Sequence, residues 1–99
     1  MLLDEPLVSR KTPQDGKLEI SPSAAAAIAA MGEEFAVTSG GREGDGRLGS
    51  LACNCGKRAG DAHVHHFLES GLLKQLPPGI RVRVELDPAR SSVRVERAQ

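Results

Sequence analysis

The pattern that most limits what this chain can fold into lies near its C-terminus, where Ile80, Val82, Val84 and Leu86 alternate with Arg81, Arg83 and Glu85. Asp87-Pro88-Ala89-Arg90 follows with turn chemistry, and Val93 and Val95 then alternate with Arg94 and Glu96. Period-two alternation on both sides of a turn predicts an antiparallel hairpin with one apolar and one charged face. The apolar face requires a cover, as in an antiparallel sheet packed by helices on one side.

The clearest candidate for that cover is an alanine-rich helix. Ser21 is a good N-cap, Pro22 suits the first helical position, and Gly32 can adopt the left-handed conformation that ends a helix. Ala24, Ala27, Ile28 and Met31 fall on one face at helical spacing. Before this helix, Leu18 and Ile20 alternate with charged neighbours and predict a short strand; after it, Glu34 to Thr38 alternates around Phe35 and Val37 and predicts another. Ser39 to Gly46 contains four glycines and reads as a mobile connecting loop. Arg47 to Cys53 and His63 to Leu68 are expected to extend and face each other across a turn. Ser70 to Leu76 predicts a short helix ended by Pro77-Pro78-Gly79. Residues 1–16 lack periodicity and read as a flexible N-terminal tail, leaving 17–99 as a single domain with a Cys/His hairpin at 47–68. The expected fold class is α+β: a small antiparallel sheet of about five strands, packed by the Ala-rich helix and a second short helix.

With 99 residues, neither Trp nor Tyr, and Phe35 and Phe67 as its only aromatics, the chain is expected to bury a thin core. A metal or an oligomer interface would offset that. Thirteen basic and thirteen acidic residues balance, so no overall field attracts nucleic acid or acidic lipid. Arg81, Arg83 and Arg94 are expected to share a solvated face with Glu85 and Glu96, and no aromatic stacking platform accompanies them. Nucleic acid is therefore not an expected partner. Nor is a membrane, since there is no long apolar run and no signal-like N-terminus. A cytoplasmic location is expected, and there two cysteines are more often thiols or metal ligands than a disulfide.

Both cysteines and all three histidines fall between Cys53 and His66. Thiolate and imidazole are the preferred donors of zinc, and Cys53, Cys55, His63 and His65 make one Cys₂His₂ set. Flat strand geometry opposes the Cys-x-Cys half of it. Residues two apart on a strand lie roughly 6.6 Å from each other, whereas two sulfurs each about 2.3 Å from one tetrahedral zinc lie nearer ~3.8 Å apart. The chain must bend at Asn54-Cys55-Gly56 for both cysteines to ligate. His66 alternates to the opposite face from His63 and His65: with Val64 and Leu68 buried it is expected to be half-buried, and with Phe67 buried instead it would replace His65 as a ligand; Asp61 and Glu69 are further candidate ligands. The expectation is a non-enzymatic zinc module. The alternatives are a metalloenzyme or an iron–sulfur or redox protein built on the same cluster, and a metal-free domain that self-associates as a homo-oligomer.

Several partial resemblances touch these residues. His63-x-His65-x₃-Glu69 resembles part of the first cupin motif, and Gly71-x₅-Pro77-x-Gly79 resembles the opening of the second, which implies a transition metal in a barrel. Val82, however, stands where the second motif has its histidine. Two cysteines and two histidines also make up a Rieske-type centre, but its Cys-x-His and Cys-x-x-His spacings are absent. The run from Leu18 to Ile28 is similar to the strand-then-helix start of A-type iron–sulfur carriers, whose C-terminal Cys-Gly-Cys has no counterpart here. No family is assigned on these fragments.

Overall fold

The computed structural model describes residues 1–53 and 63–98. Among them, seven strands form a mixed sheet: β1 (Leu2–Asp4), β2 (Lys17–Ile20), β3 (Phe35–Ser39), β4 (Arg42–Cys53), β5 (His63–Glu69), β6 (Val82–Asp87) and β7 (Ser92–Arg97). Their order across the sheet is β1-β6-β7-β3-β4-β5-β2. Two short α-helices, α1 (Lys11–Asp15) and α2 (Pro22–Ala29), and a 3-10 turn at Gly71–Gln75 complete the main elements.

This overturns the expected five-stranded antiparallel sheet packed by helices. The fold is sheet-rich, and its sheet is mixed because β3 and β7 pair in parallel, with Ala36 opposite Ser92 and Thr38 opposite Arg94. Local alternation cannot announce such a pairing, since it joins strands more than fifty residues apart. The helices are a smaller part of the fold than the sequence suggested. In α2 the side chain of Ser21 accepts from the Ala24 N–H at 3.2 Å, as its capping chemistry requires, but only Ala24, Ala25 and Ile28 are buried.

The glycine-rich segment also departs from expectation. Gly40 and Gly41, at φ of 58° and 79°, make a tight turn, and the chain then enters the twelve-residue strand β4. Positive φ at both central positions is what a hairpin turn compatible with strand twist demands. Gly44 and Gly46 are packing glycines. A Cβ on Gly44 would lie 3.1 Å from Leu72 Cγ, and one on Gly46 would lie 2.7 Å from Phe35 Cε2 and closer still to a Val37 methyl. Their bare backbone lets neighbouring side chains cross the strand.

The N-terminal sixteen residues, read as a loose tail, are held against the domain. β1 pairs with β6, the N–H of Val8 donates to the Ile80 carbonyl at 2.8 Å, and Val8 and Thr12 are buried. The carboxylate of Asp4 accepts from the Ser21 N–H at 2.9 Å, so the two ends of the strand order, β1 and β2, meet at one point. The sheet therefore curls. Inside the curl lies the core: Leu18, Ile20 and Leu68 from one end, Val82, Val84, Val93 and Val95 from the other, with Phe35 and Val37 between and Ile28, Leu73 and Leu76 as the cover. Aliphatic side chains and the one ring of Phe35 make up this core.

Strand β4 divides between two partners. Arg42 to Gly46 pair with β3, whereas Arg47 to Cys53 pair with β5. Strand β2 covers β5 only from His66 to Glu69. Beyond that point the β4–β5 hairpin continues as a two-stranded arm.

Candidate functional site

The arm carries Cys53, His63 and His65. Its register sets Cys53 opposite His63, Leu51 opposite His65, Gly49 opposite Phe67 and Arg47 opposite Glu69. Directly opposed residues share a face of the sheet, and so do residues two apart on a strand. His65, Leu51 and Phe67 therefore share one face of the arm, the outward one.

His65 is held from two sides. Its Nδ1 lies 2.7 Å from Oε2 of Glu19, a residue of the neighbouring strand β2, and its ring lies 6.5 Å from that of Phe67 at an interplanar angle of 34°. Phe67 is buried although it is on the outward face, between Gly49 of β4, which adds no side chain beside the ring, and Glu19 of β2. The ammonium group of Lys11, from α1, lies 5.2 Å above the Phe67 ring, within reach of a cation–π contact. A lysine, a phenylalanine, a histidine and a glutamate thus form a continuous strip leading to the Cys53–His63 rung.

The remaining candidates lie elsewhere. His66 sits on the opposite face, half-buried, with Ile20 and Ser50 as its register partners. Leu68 shares that face and is fully buried, which makes the core-facing side of β5 the one that contains His66. Glu69 is engaged at the root of the arm, where Oε1 accepts from Arg47 Nε at 3.2 Å and the carboxylate lies across Gly49. Cys55 and Asp61 lie outside the described residues, as does the bend required at Asn54-Cys55-Gly56. Among the described residues, no group of three or more His, Cys, Asp or Glu comes together as a metal site.

Glu19 and Lys11 went unmarked in the sequence reading. The alternation Leu18-Glu19-Ile20 does point Glu19 outward, but its place beside His65 depends on β2 pairing with β5 across more than forty residues of chain.

Away from the arm, an open groove of about 690 Å³ crosses the face of β3, β4, β6 and β7, with Arg42, Glu43, Glu85, Arg94 and Glu96 among its lining. The charged face of the C-terminal hairpin is there as expected. Arg83 is opposite Glu96 and Glu85 opposite Arg94, so the two signs alternate across the strands and leave no basic patch. No helix among the described residues is long and apolar enough to cross a membrane. Comparison of the chain with protein-family models, with curated proteins and with solved structures found no match in any of the three.

Proposed function

We propose that this chain is a small metal-binding module that holds zinc at the end of the β4–β5 arm, with Cys53, Cys55, His63 and His65 as its ligands. The observation that supports the reading is the register, which sets Cys53 opposite His63 on the rung next but one to that of His65. Two-stranded hairpins without further partners are marginally stable in water, and the free energy of binding zinc goes directly into ordering the segment that binds it. The core is complete without the arm, so the metal acts as a local staple and does not support the whole domain. A cytoplasmic setting, where thiols stay reduced, suits such a site.

Elemental analysis of untagged protein should find one zinc per chain, and cobalt substitution should give the visible absorption of thiolate ligation. Chelation should then raise amide exchange in residues 49–53 and 63–66 and leave β6 and β7 protected. Absence of zinc, together with exchange in the arm that does not respond to chelator, would sink the reading. A chain that is coloured as purified and contains iron would replace zinc with an iron–sulfur cluster.

A second reading, self-association, rests on Leu51 and Val64, which are 53% and 48% exposed on opposite faces of the arm. Among the described residues, the outer edge of β4 from Arg47 to Cys53 has no paired strand. Open edges with exposed apolar side chains are templates for pairing with another chain. Light scattering of metal-free protein separates the two readings: a concentration-dependent dimer abolished by Leu51→Asp supports self-association, and a monomer rules it out.

A further inference from the structure

We propose that Glu19 is a positioning residue for His65, fixing the tautomer and ring direction with which this histidine meets a metal. The role rests on the zinc reading above, but the hydrogen bond that carries it joins two of the chain's own side chains. Glu19 Oε2 and His65 Nδ1 are 2.7 Å apart, a length typical of charge-assisted bonds. An ionised carboxylate only accepts hydrogen bonds, so the proton of this bond sits on Nδ1. A metal would then bind His65 through Nε2. The pairing of a carboxylate on one ring nitrogen with a metal on the other is how ligating histidines are commonly oriented and made more basic.

The sheet register explains why Glu19 fills this position. Leu18 and Ile20 enter the core, so Lys17 and Glu19 face outward. Lys17 is opposite Glu69 and has a charge complement across the strand, whereas Glu19 is opposite Phe67 and has none. Its carboxylate leans along β5 to His65, one diagonal step away. Phe67 fills the space beneath, so the imidazole is held at Nδ1 by Glu19 and at its side by the phenyl ring. Through this contact β2, which stops pairing at Ile20, grips the arm beyond its last backbone rung.

The test uses the full chain under reducing conditions, with Glu19→Ala and Glu19→Gln beside the wild type. Long-range ¹H–¹⁵N spectra of metal-free protein, at a pH where imidazole is neutral, should show His65 as the Nδ1–H tautomer in the wild type. Glu19→Ala should shift it towards the Nε2–H form. Zinc affinity, measured by competition with a chromophoric chelator, should fall about 10–100-fold in Glu19→Ala, as for other residues that brace metal ligands. Glu19→Gln, which keeps an acceptor oxygen, should fall less. Circular dichroism should find all three chains equally folded. An Nε2–H tautomer in the wild type, or zinc affinity in Glu19→Ala within twofold of wild type, would overturn the positioning role while leaving the zinc reading intact. A wild-type chain with the Nδ1–H tautomer but no measurable zinc affinity would instead overturn the zinc reading and the positioning role that depends on it.

Discussion

Two hairpins in this protein start from similar sequence patterns and end in different physical situations. The β6–β7 hairpin pairs over six rungs, from Val82 opposite Arg97 to Asp87 opposite Ser92, and is flanked by β1 on one side and β3 on the other. Its inward valines, Val82, Val84, Val93 and Val95, are fully buried. The β4–β5 hairpin is just as well registered, over seven rungs, but only its root is flanked. Leu68 at the root is fully buried, whereas Val64, four residues along the same face, is half exposed. Alternation therefore establishes that a strand forms and which residues share a face; a third layer or a neighbouring strand establishes whether that face is worth stability. Among the described residues the outer part of the arm has neither, and Cys53, His63 and His65 lie there.

The comparison can be broken most decisively in the β6–β7 hairpin. Val84→Asp buries an unpaired carboxylate at a fully buried site and should cost more than about 4 kcal/mol, enough to unfold a domain of this size. Loss of the cooperative thermal transition is the expected result; a variant that still melts near the wild-type temperature would show that this face is not the core. A smaller loss is expected where β4 passes from one partner to the other. Gly46→Ala forces a methyl group against the ring of Phe35 and a methyl of Val37, and overpacking of this kind typically costs about 1–3 kcal/mol. Urea titration should show the lower midpoint, with the slope unchanged. The smallest effect belongs to the arm. Val64→Ser in metal-free protein should change stability by no more than about 0.5 kcal/mol, because the side chain is already half in water. A larger loss in that titration would mean that the arm is covered in solution, and would favour self-association.

Much of the fold was legible in individual segments. The Ser21-Pro22 start of α2, the extended segments that become β4 and β5, and the C-terminal hairpin each rest on interactions between neighbours in sequence, which caps, turns and alternation report directly. The glycine-rich stretch was misread for a definite reason. Glycine marks loops through its backbone freedom, and Gly40 and Gly41 use it in that way, but Gly44 and Gly46 serve their neighbours by lacking a side chain. The two uses look identical in one dimension. The N-terminal segment was misread similarly, since Val8 and Thr12 carry no periodic signal and are buried by elements that follow them by sixty residues or more, such as Ile80, or that lie beside them only in space.

What the sequence determined by itself is a set of local commitments: the capped helix, the turn chemistry, the alternating faces, and the concentration of Cys53, Cys55, His63 and His65 in one short stretch of chain. The tertiary structure alone decided that the strands join in the order β1-β6-β7-β3-β4-β5-β2, that β3 meets β7 in parallel, and that Glu19 comes within hydrogen-bond distance of His65. The physical reason is the same in each case. Pairing between distant strands is selected by burial of the whole apolar surface at once, and no local window contains that sum.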